Sequence, residues 1–218
     1  MKNSDITTVI KALTKTLASQ KLPIVSALAE QKSAPFHILI STLLSLRTKD
    51  EVTEVATRRL FALASTPAQM LKLSPDLIEG AIYPVGFYRN KAQTILHVCR
   101  ELIERYDSRV PDSIDELLTF KGVGRKTANL VVTLGYGGEG ICVDTHVHRI
   151  SNRLGYVSTK IPDETEYALR AKLPRKYWTE YNTLMVAFGR TTCRPTSPLC
   201  SKCPICGLCE KVGVKRHR

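Results

Sequence analysis

The sequence lacks what a membrane or exported protein needs. None of its apolar runs approaches the length of about 20 residues that a membrane-spanning helix requires. Its first residues, MKNSDITTVIKALTK, are amphipathic and carry charges of both signs, whereas a secretory signal needs an apolar core in that position. We therefore expect a chain with no targeting segment and no membrane contact.

Acidic side chains are scarce relative to basic ones. Asp and Glu together number 20 against 32 for Lys and Arg, which gives a net charge of +12 over 218 residues. A chain this basic often meets a polyanion, and nucleic acid is the leading candidate; on charge alone, a merely solvated basic surface remains open. The hydrophobic fraction of 43% is high enough to build a core, which argues against disorder.

The sequence contains no series of segments in which polar and apolar residues alternate, the pattern that indicates a sheet. Short apolar runs such as ICVDTHV could be strands, but helical spacing dominates, and it is clearest from Ala92 onward at Ile95, Leu96, Cys99, Leu102, Ile103 and Tyr106. Helix-start signals precede such runs at Thr66-Pro67, Ser74-Pro75, Asp112-Ser113 and Pro162-Asp163. We predict an all-α protein of roughly ten short helices, with a candidate hinge in GYGGEG, residues 135–140.

The stretch FKGVGRKTANLVV, residues 120–132, combines two glycines with basic side chains at the start of a helical pattern. Glycine allows a positive φ and a close approach of the backbone to a ligand. A helix start presents outward N–H groups and the positive end of the dipole, which together favour a phosphate. Lys121, Arg125 and Lys126 add positive charge. A plain turn between two helices, with no ligand, is the alternative.

Cysteine is concentrated in one place. The chain has seven cysteines, and five of them lie between Cys193 and Cys209. In a protein that is not secreted, such a group indicates metal or cluster ligands rather than disulfides. The spacing C-x6-C-x2-C-x5-C fits a [4Fe–4S] cluster and also a Cys₄ zinc site; its members are Cys193, Cys200, Cys203 and Cys209. We interpret Cys206 as a thiol beside the site and expect Cys99 and Cys142 to be buried.

These motifs together resemble the endonuclease III family of DNA glycosylases. LLTFKGVGRKTANLVV resembles the helix-hairpin-helix of that family, and ICVDTHVHRISNR resembles the segment that carries its catalytic aspartate. LLSLRTKDEVT and VGFYRNKAQTI resemble its DNA-facing loops, and the cysteine spacing matches its single [4Fe–4S] cluster. The resemblance covers most of the chain, with the motifs in the same order. It favours an iron–sulfur cluster over zinc at the cysteine site.

The resemblance implies a bifunctional enzyme of base-excision repair. Lys126 would be the nucleophile and Asp144 the catalytic carboxylate, acting on an oxidised pyrimidine of the thymine glycol type flipped out of duplex DNA. Cleavage at the abasic site would follow by β-elimination through a lysine Schiff base. The DNA contacts implied by position are Arg47, Phe87, Lys121, Gly122, Val123, Gly124, Arg125 and His146.

The residues themselves give this chemistry a physical basis. A lysine attacks only when uncharged, and the positive end of a helix dipole, with Arg125 adjacent, disfavours an added charge at Lys126. A carboxylate at Asp144 would stabilise the cationic sugar formed as the base leaves. Without the resemblance, a solvated lysine and a helix-capping aspartate are the simpler interpretations.

The resemblance also implies an architecture of two helical lobes. Residues 28–138 would form a six-helix barrel with the hairpin at about 113–133, and residues 1–27 with 139–218 would form the cluster lobe. DNA would lie across the cleft between them. We expect a monomer of prokaryotic type, in the cytoplasm at the nucleoid, whose cluster orders a basic loop and takes no part in the reaction.

Three departures from the family fall where a damaged base is selected. Leu46-Arg47 stands where Ala-Gln is frequent, Phe87 where a leucine is usual, and Lys121 where a proline is common. Related adenine glycosylases and mismatch thymine glycosylases tend to lack the lysine at position 126, and oxoguanine glycosylases lack the cysteine tail. A mismatch-type glycosylase, or an iron–sulfur DNA-binding module without catalysis, are the alternative functions.

Overall fold

The computed structural model describes residues 1–18, 25–27 and 33–218 and confirms the all-α prediction. No strand occurs in these ranges, and the run ICVDTHV is irregular chain that enters a helix at Thr145. Within them, no helix combines the length and apolar character that crossing a bilayer requires. The helices are α1 Asn3–Leu17, α2 Pro35–Ser45, α3 Asp50–Leu63, α4 Pro67–Met70, α5 Pro75–Ile82, α6 Tyr88–Tyr106, α7 Ile114–Leu118, α8 Arg125–Leu130, α9 Thr145–Arg153, α10 Pro162–Lys172 and α11 Trp178–Thr191.

The predicted helix starts are confirmed. Oγ1 of Thr66 accepts a bond from the N–H of Gln69 at 3.3 Å, and Oγ of Ser74 accepts one from the N–H of Leu77 at 3.3 Å. At Asp112-Ser113 the cap is the serine. Pro162 opens α10 in its first turn, although Ile161 before it has no capping side chain. Three of the four signals therefore act through a side-chain oxygen, as N-caps do.

Internal contacts divide the chain into two compact units. The central unit is Ile24–Gly138, and the terminal unit combines Met1–Pro23 with Glu139–Arg218. The divide after Gly138 falls within GYGGEG. The sequence prediction put the lobes at 28–138 and at 1–27 with 139–218, and residue 28 lies outside the described residues.

In the central unit, α6 supplies a buried stripe and packs against α2, α4 and α5. The helix predicted from this spacing is confirmed, and Cys99 is fully buried, as predicted. Ile95 and Leu102 are fully buried as well, whereas Ile103 is 36% exposed. Burial raises the pKa of the Cys99 thiol to about 12, so this cysteine is an inert core residue.

The terminal unit has its own core, built by α1, α9, α10 and α11. The first helix contributes Ile6, Val9, Ile10 and Leu13, which are buried with apolar residues of α9 and α11. At its centre, the hydroxyls of Tyr181 and Ser151 are 3.0 Å apart. Burial raises the pKa of Tyr181, which therefore stays neutral. The N-terminal helix is thus an integral part of the unit that carries the cysteine tail.

The stripe on α6 can be tested with two adjacent positions. Leu102→Ala should lower the free energy of unfolding by about 2–5 kcal/mol, because Leu102 is fully buried and the change leaves a cavity. Ile103→Ala should cost about 1 kcal/mol or less, since that side chain is partly solvated. Urea unfolding followed by circular dichroism measures both. Equal losses for the two variants would contradict this packing.

Candidate functional site

The hairpin of the central unit joins α7 to α8 through a tight turn. Gly122 has φ +90°, and a Cβ there would lie 2.6 Å from Cγ2 of Thr94. Val123 is 6% exposed, and its N–H donates to the carbonyl of Phe120 at 3.0 Å. The turn therefore needs glycine at 122 for both conformation and space, while Val123 anchors it to the core.

The second glycine has a different role. Gly124 caps α8 with an extended backbone, φ −101°, and a Cβ there would meet nothing within 4 Å. Its carbonyl accepts the first bond of the helix, from the N–H of Ala128 at 3.0 Å. The fold does not require glycine at this position. An exposed, side-chain-free helix start is what close approach of an anion requires, and Lys121 beside it is exposed as well.

Lys126 lies in the first turn of α8 and is half-buried. Its amine makes no hydrogen bond and no ion pair with the part of the chain that the structure describes. The residues that follow it, Thr127 to Leu130, are buried and fix the helix, which continues as a π-helical turn over Val131–Gly135. A rigid helix start thus presents an amine that no carboxylate holds.

Arg47 and Phe87, predicted as DNA contacts from two separate loops, lie together. The Arg47 guanidinium carbon is 5.5 Å from the centre of the Phe87 ring, a cation–π contact. Both residues have positive φ, 53° and 59°. Phe87 is 61% exposed, so it does not belong to the core. An exposed aromatic ring paired with a cation is a surface suited to stacking on bases.

Sequence reasoning missed the residue that joins these two loops. Lys91 is only 9% exposed, and its ammonium donates to the carbonyls of Leu44 and Leu46 at 2.8 and 2.6 Å and to Oγ1 of Thr48 at 3.2 Å. Burial lowers its pKa to about 8. The only sign of its burial in the sequence is its position directly before Ala92, where the apolar stripe begins.

Asp144, in the terminal unit, is the N-cap of α9. Its Oδ1 accepts from the N–H groups of His146 and Val147 at 2.8 and 2.9 Å. Its Oδ2 makes no hydrogen bond within the described residues. The interpretation as a capping residue is therefore confirmed, and it leaves one carboxylate oxygen available for chemistry.

The same helix carries His146 and Arg149 on one face. Nη2 of Arg149 lies 3.2 Å from Nδ1 of His146 and donates to the carbonyl of Cys193 at 2.9 Å. Burial lowers the pKa of Arg149, an effect that the neighbouring Cys193 opposes. Gly189 packs so closely against His146 that a Cβ there would collide with the imidazole. His146 is thus positioned by packing as well as by a hydrogen bond.

The cysteine tail forms a pocket inside the terminal unit. Within the described residues, no three His, Cys, Asp or Glu side chains stand as close together as a single metal ion requires. The pocket holds about 410 Å³ of atom-free space, part of it open to solvent. All five thiols of the tail are free and line it, namely Cys193, Cys200, Cys203, Cys206 and Cys209.

Thiolates in this pocket would need a cation beside them. Burial raises the pKa of Cys203 to about 11 and raises that of Cys209 as well, with the neighbouring thiols contributing. A metal cation offsets the cost of a buried thiolate. Arg153 holds the loop through the carbonyls of Arg194 and Pro195, at 2.7 and 2.6 Å. The donor set and the pocket therefore fit a thiolate-bound cluster.

Comparisons with known proteins agree with these features. Residues 40–175 match the pattern of the HhH-GPD superfamily of base excision DNA repair proteins. Endonuclease III of Thermotoga maritima is 49% identical over 180 residues, which cover 83% of this chain and 84% of that protein. The chain belongs to the endonuclease III family. It is accordingly an enzyme of base-excision repair, of the class of DNA glycosylases and abasic-site lyases.

Solved structures give the same result for the fold. A trapped covalent intermediate of endonuclease III with DNA, in an estranged-adenine complex, matches with a TM-score of 0.86 and 34% identity over 97% of each chain. A thermostable thymine-DNA glycosylase matches with a TM-score of 0.82 at 22% identity, over 96% of this chain and 97% of that one. The second likeness concerns the fold alone.

The two hairpin glycines offer a matched test. Gly122→Ala should destabilise the protein by about 1–2 kcal/mol from backbone conformation alone, and further through the contact with Thr94. Gly124→Ala should leave stability within about 0.5 kcal/mol but lower the affinity for duplex DNA by about tenfold, because the methyl group would keep a phosphate from the helix start. Thermal unfolding and fluorescence anisotropy with a labelled duplex measure these effects. Unchanged DNA affinity in Gly124→Ala would argue against a phosphate at this position.

Proposed function

We propose that this chain excises oxidised pyrimidines of the thymine glycol type from duplex DNA and then cleaves the abasic site, with Lys126 as the nucleophile. The observation that carries the proposal is the Lys126 amine, half-buried at a helix start and bound by no other described residue. A solvated structural lysine needs no such placement. The solved relative trapped as a covalent intermediate with DNA supports covalent chemistry in this family.

The reaction follows from the two groups. The neutral amine of Lys126 attacks the anomeric carbon of the flipped nucleotide, the bond to the base breaks, and the base departs with its electron pair. In the proposed reaction, Oδ2 of Asp144, which makes no hydrogen bond within the described residues, would stabilise the positive charge that develops on the sugar. The ring then opens to a Schiff base, and loss of a proton from C2′ expels the 3′ phosphate.

The remaining predicted residues would hold the DNA. The hairpin, from Lys121 to Arg125, presents an exposed helix start and positive charge to one phosphate. Arg47 and Phe87 together would fill the space left by the flipped nucleotide. His146 stays a proposed contact, since its imidazole already meets Arg149. Binding through these cations should weaken steeply with salt.

We also propose that Cys193, Cys200, Cys203 and Cys209 hold a [4Fe–4S] cluster, as in the family. The cluster would act as a cross-link that orders the tail. Apolar burial alone could hardly do so, because between Cys193 and Arg218 the described residues include only Pro198 and Ile205 as buried apolar side chains. Cys206 would stay a bystander. We further expect the protein to act as a monomer on chromosomal DNA in the cytoplasm.

Borohydride trapping tests the nucleophile. Wild-type protein mixed with a duplex that contains one thymine glycol or one abasic site should give a covalent adduct. Lys126→Arg should bind the duplex but give none, because it keeps the charge and loses the amine. Tight binding by the wild-type protein without any adduct would leave a DNA-binding module as the function, and activity confined to mismatched thymine would favour the mismatch-type glycosylase.

Asp144→Asn separates capping from catalysis in the same assay. Asparagine caps a helix about as well as aspartate, so the melting temperature should hardly change. Release of thymine glycol should fall on the order of 100-fold or more, because the negative charge is gone. Wild-type excision rates in Asp144→Asn would show that this carboxylate only caps α9.

A pair of cysteine variants tests the ligand set. Cys206→Ser should remain brown and bind about four iron atoms per chain, whereas Cys203→Ser should lose iron and melt at a lower temperature. Elemental analysis and the visible spectrum give the answer. Zinc at about one per chain in a colourless wild-type protein would replace the cluster with a Cys₄ site.

A further inference from the structure

The Lys91 ammonium uses its full donor capacity on the segment that surrounds Arg47. An ammonium group has three N–H bonds, and in Lys91 they go to the carbonyls of Leu44 and Leu46 and to Oγ1 of Thr48. Leu44 lies in the last turn of α2 and Leu46 is its C-cap, and carbonyls at a helix end have no partner within the helix. Because Leu46 and Thr48 flank Arg47, the ammonium fixes the chain on both sides of that arginine.

The second loop is joined to the first through Thr48. Its Oγ1 accepts from the N–H of Gly86 at 3.1 Å, next to Phe87. A Cβ at Gly86 would lie 2.6 Å from the carbonyl oxygen of Arg47, so the two backbones touch. The backbone N–H of Lys91 donates to the carbonyl of Phe87 at 3.0 Å. Lys91 therefore bonds one loop with its side chain and the other with its backbone.

Both loop residues need such support. Arg47 and Phe87 adopt positive φ values of 53° and 59°, a region that side chains with a Cβ seldom occupy unless their surroundings impose it. No carboxylate pairs with the Lys91 ammonium within the described residues. A core position would be filled more favourably by methionine or leucine, because burial disfavours the charged amine. Two of the three bonds that justify a lysine here go to Leu46 and Thr48, on either side of Arg47, and the third goes to the end of α2.

We propose that Lys91 is a positioning residue for base selection, which holds Arg47 and Phe87 as one preassembled wedge that enters the duplex where the damaged nucleotide leaves. Arg47 and Phe87 touch the DNA, and Lys91 acts through them by way of Thr48. The inference rests on the proposed function, since it assigns to this wedge the filling of the hole opposite an orphan base. It adds that the hole is filled by a unit assembled before DNA arrives.

The decisive comparison uses two substrates in the trapping assay. A duplex with one abasic site has a hole and an orphan base, whereas the same abasic strand alone has neither. Lys91→Met should lower the rate of adduct formation on the duplex by at least about tenfold and change the single-strand rate by less than about twofold. Thr48→Val should behave similarly, and Thr48→Ser, which keeps the hydroxyl, should behave as wild type. The exposed Lys72→Met is the matched control and should affect neither substrate.

A readout without catalysis separates this inference from the proposed function. A duplex with 2-aminopurine opposite a stable tetrahydrofuran abasic analogue reports unstacking of the orphan base as a rise in fluorescence. At saturating protein, Lys91→Met should give less than about half of the wild-type rise. An equal rise in both proteins, or equal losses on duplex and single strand, would overturn the positioning role. If wild type forms no adduct but its fluorescence rise depends on Lys91, the lyase proposal fails and the wedge stands.

Discussion

Unpartnered amide groups at helix starts are the constraint on which the candidate chemistry depends. The first N–H groups of a helix have no partner within it and must find one elsewhere. At α9 the partner is Asp144, whose Oδ1 takes two of them. At α8 the start follows a glycine with open space around it, and Lys126 stands in its first turn. Each candidate reactive side chain thereby lies at the start of a short helix.

The terminal unit achieves order in two different ways. Around α1 and α11 it relies on apolar burial, with Leu13, Tyr181 and Met185 fully inside. Along the tail it relies on polar cross-links, because Arg153 binds three carbonyl or sulfur groups there and the N–H of Val212 returns a bond to the Arg153 carbonyl. A segment held by so few apolar contacts needs an additional cross-link, which a cluster would provide.

Local patterns in the sequence predicted the features that depend on residues close together in the chain. Ser74-Pro75 revealed a helix start, the glycines revealed the hairpin, and spacing revealed the cysteine group. Lys91 could not be found in this way, because its three acceptors lie 43 to 47 residues earlier in the chain. The left-handed backbone of Arg47 and Phe87 is likewise a product of tertiary contact, since neither residue type favours it. Ile103 fits the helical period of α6 but lies at the edge of the buried face, which the spacing alone does not reveal.

The division of labour within the Asp144 carboxylate limits what genetics can reveal about it. One oxygen caps α9 and the other, which makes no hydrogen bond within the described residues, is proposed to act on the substrate, so the two duties would share a single side chain. Truncation to alanine would remove both at once, and a screen that scores survival would record one defect with two causes. Selection for the cap alone would preserve a capping residue at this position, either aspartate or asparagine, whereas selection for the negative charge would preserve the aspartate itself. A protein that had lost its catalytic need would therefore retain α9 even if asparagine replaced this aspartate.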